Sequence, residues 1–376
     1  MQPRIYLSPP HLSGEEIRFI KEALDTNWVA PAGPAIGEFE KQIAENCSIE
    51  NCLVVSSGTA AIHLALIVLG VKTGDEVICS TFTFSGSCNP IIYQAATPVF
   101  VDSELQSWNM DPQLLEEAIK ARLRLGKKPK AIIVVHLFGM PAQMNPIMEI
   151  ARRYGIHVIE DAAEAMGSKY KDQNAGTIGD IGIFSFNGNK IITTSGGGAL
   201  ISNEKQWIEK ARFLSSQSRS PVPYFQHEEV GYNYQLSNIC ASIGLGQIKM
   251  LEARVEKRRA IFDFYRSQLQ TGSFSFQPEL HESFSNRWLT TVLLERTTIL
   301  PEELRVELER KNIEARPLWK PMHLQPVFQG APAYLNGVSE SLFEKGLCLP
   351  SGTSLTEVQL NMIVDSLKVF VQKNKR

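Results

Sequence analysis

Three short stretches of this chain carry residue types that could do chemistry together. In "FSFNGNKIITTSGGGALIS", Phe184 to Ser202, a single amine, Lys190, follows an apolar alternating run and precedes the glycines Gly196 to Gly198. In "IHVIEDAAEAMG" an acid, Asp161, stands just past a β-branched run, with Glu160 and Glu164 nearby. In "VVSSGTAAIHLAL" the turn Ser57-Gly58-Thr59 leads from an apolar run into a helical pattern, which aims backbone N–H groups at an anion. Each stretch also has an ordinary reading: Lys190 as a solvated loop lysine, Asp161 as a helix-capping acid, the turn as a plain N-cap. Taken as a set, the three match the needs of pyridoxal 5'-phosphate. That cofactor takes an anion cradle, an amine for its aldehyde, and an acid paired with its ring nitrogen. The turn lacks GxGxxG and GK[ST], so neither the dinucleotide fingerprint nor the ATP P-loop applies.

The elements that must position these groups form an alternating series. Strand candidates are "CLVVS", "EVICS", "TPVFVD", "AIIVVHL", "HVIED", "IGIFSF" and "GALIS". Helical patterns such as "TAAIHLALIVLG", "DPQLLEEAIKARLR" and "MNPIMEIARRYG" separate several of them. Runs this rich in Val and Ile suit strands buried on both faces, and the alternation implies an α/β fold with a large, mostly parallel, seven-stranded sheet. Ligands bind such sheets at the carboxyl ends of the strands. After Ser202 the texture changes to a long irregular loop, "SSQSRSPVPYFQHEEVGYNYQ", and then a long helix over about Ser237 to Gln268 with a hinge near Leu251. Mixed signals beyond it ("RWLTTVLLE", "PEELRVELERKNI", "EVQLNMIVDSLKVFV") read as a smaller α+β domain. The expected division is an N-terminal arm and helix over 1–30, a large domain over 31–250 and a small one over 251–376.

Bulk properties exclude other classes. The 376 residues are 43% hydrophobic with a net charge of −2, which gives no bulk attraction to nucleic acid or to an anionic membrane. No apolar run is long enough to span a bilayer, and "MQPRIYLSPPHLSGEE" shows no secretory h-region. The six cysteines are scattered without a CxxC pair, which reads as reduced, buried thiols in a cytoplasmic protein and gives no metal framework. The basic runs "KARLRLGKKPK" and "VQKNKR" lack interleaved aromatics and read as a solvated helix end and a frayed tail.

The Lys190 stretch resembles the Schiff-base lysine motif of the DegT/DnrJ/EryC1/StrS family of sugar aminotransferases. "EDAAE", "SSGTAA", "TFTF", "HLFG" and "GYNYQLSN" are similar to the family's other blocks and stand in its order, so the likeness runs from about Leu7 to Ser354. "LSPPHLSGEE", "NGNKIITTSGGG", "RPLWKPMH" and "CLPSG" resemble the branch that aminates a UDP-4-keto-6-deoxy-N-acetylhexosamine at C4, as in bacillosamine pathways.

The resemblance implies a fold-type-I, aspartate aminotransferase-like architecture and transamination from L-glutamate to the UDP-4-keto sugar. Lys190 would bond the cofactor and shuttle the proton, and Asp161 would pair with the pyridine nitrogen. Glu164 would lie near the ring hydroxyl; Gly58, Thr59 and Ser185 would hold the phosphate; Phe84 would stack on the ring. Asn233 would reach the phosphate of a neighbouring subunit, which implies a homodimer with shared sites. Asn187, Trp319, Lys320 and His323 are candidates to meet the sugar nucleotide; the alternatives are a turn cap for Asn187 and a polar strand-edge loop for the other three. Two departures stand out: Gln235 occupies the place of a common arginine, and Ser195-Gly196 replaces a usual Gly-Glu. The rivals are amination at C3, a dTDP- or GDP-linked sugar, and a non-catalytic regulator that keeps the cofactor site.

Overall fold

The computed structural model describes residues 3–269, 272–295 and 299–374, so Lys375 and Arg376 of the basic tail lie outside the described residues. All seven strand candidates form one sheet, in the order Asn51–Val55, Gly198–Ser202, Ile181–Ser185, His157–Asp161, Ala131–Val135, Glu76–Ser80, Thr97–Val101. Gly198–Ser202 runs antiparallel to both of its neighbours, and the remaining pairs are parallel. Period-2 alternation sends successive side chains to opposite faces. Ile78 thus packs with Leu115, Ile119 and Ile147 of the helices Pro112–Arg124 and Met144–Tyr154. Its neighbours Val77 and Cys79 pack with Ala61 and Leu64 of the helix Gly58–Val68 on the other face.

The sheet has an eighth strand that the sequence did not announce. Ala333–Tyr334 pairs in parallel with Thr97–Val101, Ala333 opposite Phe100 and Tyr334 opposite Val101. Two residues are too few to show a period, so the strand exists only because Phe100 N–H donates to Pro332 O (2.8 Å) and Asp102 N–H to Tyr334 O (3.0 Å). The basic helix end at Arg122 is not simply solvated. Arg122 grips the buried Glu76 with two hydrogen bonds (2.7 and 2.5 Å), and Lys127 approaches the same carboxylate at 3.4 Å.

The expected long helix over 237–268 is two helices, Asn238–Ile248 and Leu251–Leu269. Leu251–Leu269, Pro301–Arg310 and Glu357–Lys373 cover a four-stranded antiparallel sheet ordered Phe274–Phe276, Thr290–Leu294, Gly346–Leu349, Arg316–Pro317. Their core gathers Tyr265, Val292, Leu304, Leu347 and Ile363. Ile5 belongs to this core too: its N–H donates to Asn312 O (2.9 Å), and Glu314 N–H donates to Ile5 O (2.8 Å). The first described residues therefore pack with the C-terminal lobe, whereas the helix Glu16–Asp25 packs on Asn238–Ile248. Among the described residues, no helix is long and apolar enough to cross a membrane.

Candidate active site

The strands that carry the three chemical stretches point the same way, so their ends meet at one edge of the large sheet. Asn51–Val55 is turned back to that direction by the antiparallel Gly198–Ser202 between it and Ile181–Ser185. Asp161 and Ser185 end their strands, and Ser57 follows the end of Asn51–Val55. With Glu164, Lys190, Gly58 and Thr59 they line a cavity of about 390 Å³.

Asp161 is 5% exposed and braced from two sides. Ser87 Oγ donates to one carboxylate oxygen at 2.6 Å and Ala163 N–H donates to the other at 3.1 Å. Ser87 is held in turn by Thr83 Oγ1, 2.7 Å away. Glu160, the adjacent acid, points the other way, as strand alternation requires. It accepts from the backbone N–H groups of Gly176, Ile178 and Gly179 and meets His136 Nε2 at 2.8 Å, so it is structural. Ala142 N–H donates to His136 Nδ1, which leaves Nε2 as the protonated nitrogen.

Lys190 stands in a turn closed by its own N–H to Asn187 O at 3.0 Å. Its side chain is only 13% exposed, with Nζ 3.7 Å from Glu164 Oε1 and 4.4 Å from the centre of the Trp288 ring. That geometry sets aside the solvated-loop reading. Phe138 N–H donates to the second Glu164 oxygen at 2.7 Å, from a backbone with φ of 55° that a bulky side chain rarely adopts. Burial pushes the Glu164 carboxyl up to about 7, against the opposing pull of Lys190 and the Phe138 amide, while Asp161 reinforces the rise.

A carboxyl raised in the folded state binds its proton over a range where the unfolded chain has lost it. Stability is therefore expected to fall as pH rises from about 4.5 to about 7. Glu164→Gln should remove most of that slope, a difference on the order of 2–3 kcal/mol. Urea unfolding of the cofactor-free protein at pH 5 and pH 8 measures it, and a wild-type-minus-variant difference independent of pH would exclude this assignment.

The anion end of the cavity is the N-terminus of Gly58–Val68. Ser57 is its cap, accepting from Ala60 N–H at 3.0 Å, so the ordinary N-cap reading is also true. The first N–H groups of a helix have no partner within it, which leaves those of Gly58 and Thr59 available to an anion. Ser185 adjoins them: a Cβ added to Gly58 would lie 3.2 Å from Ser185 Cβ. The glycine triplet divides its tasks. A Cβ on Gly198 would lie 2.4 Å from Gly58 N, so that glycine lets its strand pass close beneath the N-terminus of the helix Gly58–Val68. Gly196 lines the cavity with nothing within 4 Å of an added Cβ, so it is the one that leaves room for a ligand. Ser195, at the departure from the family pattern, has φ of 73°, the left-handed region that glycine favours.

Phe84 is 59% exposed at the cavity wall, its ring 5.8 Å from that of Trp319, so it is not a plain core residue. Phe138 also stacks on Trp319, with ring centres 5.8 Å apart. Asn187 and Trp319 line the cavity; Lys320 and His323 do not. Lys320 is exposed. His323 places both ring nitrogens on partners within the chain, Thr81 Oγ1 at 2.7 Å and Glu340 Oε1 at 3.1 Å. Asn233 and Gln235 are exposed and lie outside the cavity of this single chain. Sequence reasoning missed Ser87, Trp288 and the Phe138 amide. Ser87 lies just past "TFTF", and nothing in "NRWLTT" marks its tryptophan.

An amine, a braced acid and a helix N-terminus with adjoining hydroxyls occupy three corners of one cavity whose wall is aromatic. This donor set fits pyridoxal 5'-phosphate, and such a site at the carboxyl edge of a mostly parallel sheet defines a fold-type-I aminotransferase. Residues 10–368 match the sequence model of the DegT/DnrJ/EryC1/StrS aminotransferase family, and the chain belongs to that family. It is 50% identical over 372 residues to the "Putative pyridoxal phosphate-dependent aminotransferase EpsN" of Bacillus subtilis (strain 168), covering 98% of this chain and 96% of the relative. It is 38% identical over 361 residues to the GDP-perosamine synthase of Escherichia coli O157:H7, covering 96% and 97%. Among solved structures, the PLP-form of the "Putative sugar aminotransferase Spr1654" from Streptococcus pneumoniae superposes with a TM-score of 0.90 at 26% identity, covering 99% of this chain and 100% of that one. The chain is a sugar aminotransferase with pyridoxal 5'-phosphate as its cofactor.

Proposed function

We propose that this chain transfers an amino group from L-glutamate to C4 of a UDP-linked 4-keto-6-deoxy-N-acetylhexosamine, supplying an amino sugar of the bacillosamine type for a glycan. The observation that carries amino transfer is the cavity in which Lys190, Asp161 and the Gly58 helix end converge. When bound, the cofactor supplies an electron sink for the carbanion at the reacting carbon. Asp161, fixed by Ser87 and Ala163, holds a proton at the pyridine nitrogen. Gly58, Thr59 and Ser185 bind the phosphate, and Phe84 lies against the ring. Lys190 carries the proton away from the donor's α-carbon and, with the sugar bound, returns one to C4. Glu164 sits beside the Lys190 amine, close enough to exchange a proton with it through a short shift. Trp288 and Trp319 keep water from the reacting carbon, and Trp319 and Asn187 meet the sugar nucleotide. Residues 31–250 serve as the cofactor-binding domain and 251–376 as the lobe that bears Trp288 and Trp319.

A GDP-linked sugar is the second reading, favoured by the similarity to GDP-perosamine synthase. Glutamate and a panel of UDP-, dTDP- and GDP-linked 4-keto and 3-keto sugars, with products read by mass spectrometry and NMR, decide between them. The UDP-4-keto sugar should exceed the others in kcat/KM by at least about tenfold. A higher value for a GDP-linked or 3-keto sugar would reassign the substrate. Glutamate alone should also change the visible spectrum, which a regulator without turnover would leave unaltered.

The active unit in this reading is a cytoplasmic homodimer in which Asn233 reaches the partner's phosphate site. Exposed apolar residues support it: Ile92 and Tyr93 follow Phe84 in the same segment, and Phe225 and Val230 lie in the loop that carries Asn233. Sedimentation equilibrium should show a dimer at micromolar concentration, and a monomer there would remove the role given to Asn233.

A further inference from the structure

The carbonyl of Asn189, immediately before Lys190, accepts two hydrogen bonds from distant parts of the chain. Ser8 Oγ donates at 2.7 Å and the Trp288 indole N–H donates at 2.8 Å. Arg258 closes the circuit: one guanidinium nitrogen donates to Ser8 Oγ at 2.8 Å and the other to the main-chain carbonyl of Trp288. The result is a closed ring, Asn189–Ser8–Arg258–Trp288, built from the N-terminal arm, the lysine turn, the helix Leu251–Leu269 and the segment leading into the strand Thr290–Leu294.

Arg258 is costly where it sits. It is 2% exposed, no carboxylate among the described residues pairs with it, and its Nε has no hydrogen-bond partner. Burial and the nearby Arg254 push its guanidinium down to about 9. An unpaired buried cation costs several kcal/mol, and an apolar side chain of similar size would fill the space without that cost. What an apolar side chain cannot do is join Ser8 to Trp288. Trp288 does two things in turn: its indole edge fixes the peptide before Lys190, and its face lies 4.4 Å from the Lys190 amine.

We propose that Ser8, Arg258 and Trp288 are positioning residues for Lys190, acting through the Asn189 carbonyl to hold the lysine turn against the C-terminal lobe. The proposal rests on the reading of Lys190 as the cofactor lysine. Near-attack geometry is lost with sub-ångström misplacement, so loosening the turn slows every step that uses the amine without weakening substrate binding. Because two donors share one acceptor, losing either leaves the carbonyl satisfied, whereas losing both leaves it with neither.

The test uses Ser8→Ala, Trp288→Phe, the double variant, and Ser8→Thr as the conservative rescue. Trp288→Phe keeps an aromatic ring near Lys190 while removing the indole N–H and part of the ring's bulk. Each single variant should keep the cofactor's visible band, lower kcat about 3–10-fold and leave KM for glutamate within about twofold. Hydrogen exchange of the 187–194 backbone in the cofactor-free protein should accelerate by about fivefold or more. The double variant should lose more than the product of the two singles, and Ser8→Thr should return to within about twofold of wild type. Losses that simply multiply, a loss confined to KM, or unchanged exchange in 187–194 would overturn the proposal. If Trp288→Phe fails to fold, the Ser8 pair still decides it. A wild-type protein without a visible band would instead sink the reading of Lys190, leaving the exchange result to judge the ring.

Discussion

Lys190→Ala protein is expected to be colourless and to turn over at least about 10⁴-fold more slowly than wild type. The size of the effect follows from the cavity. Lys190 is the single lysine among the residues that line it, and Lys320 lies outside. Among the described residues, no other lysine lines the cavity to bond the cofactor's aldehyde or to carry a proton between the reacting carbons. Lys190→Arg should be nearly as inactive, because a guanidinium keeps the charge and the contact with Glu164 but remains protonated and cannot act as the nucleophile. The measurement is the visible spectrum of purified protein before and after borohydride, with turnover under saturating glutamate. A yellow Lys190→Ala protein that borohydride bleaches would move the covalent role to another residue.

Asp161→Asn should fold, bind the cofactor and lose roughly 10³–10⁴-fold in kcat, by analogy with other catalytic partners held in the wrong protonation state. Asparagine still offers an oxygen to the Ala163 N–H, so the local structure survives. What it cannot do is hold a proton at the pyridine nitrogen, and a neutral ring stabilises the carbanion poorly. Asp161→Ala should add a loss of cofactor affinity of about 2 kcal/mol, the worth of a charged hydrogen bond, visible as a roughly thirtyfold weaker Kd. An Asn variant within tenfold of wild type would transfer the pairing role elsewhere, with Glu164 as the remaining acid of the cavity. Ser87→Ala, which frees one Asp161 oxygen but keeps the carboxylate, belongs to the same series and should fall between wild type and Asp161→Asn.

Much of this was legible in the chain because the informative signals are local. Continuous Val/Ile runs marked seven strands, and the order of "SSGTAA", "EDAAE" and "FSFNGNK" already implied that turn, acid and amine would meet at strand ends. Glu160 and Asp161 are adjacent in sequence, yet strand alternation alone sorts the structural acid from the one in the cavity. What stayed hidden depends on contacts between distant segments. Ser87 is an unremarkable serine until its hydroxyl is seen on Asp161, 74 positions away. Trp288 reaches Asn189 across 99 positions, and no period or motif encodes that meeting. The partners of His323 were hidden for the same reason: Thr81 and Glu340, which meet its two nitrogens, both lie outside "RPLWKPMH".

The two-residue strand Ala333–Tyr334 has a consequence for how the chain is made. Until it arrives, the edge of Thr97–Val101 offers unpaired N–H and C=O groups to any neighbour. At ordinary rates of synthesis, the interval between the emergence of the two strands lasts on the order of ten seconds or more. During that time a nascent chain on the ribosome carries an apolar parallel sheet whose seal has not yet been translated. Fragments that stop short of Pro332 should therefore aggregate even though they contain every residue assigned to the cofactor's phosphate, ring nitrogen and aldehyde.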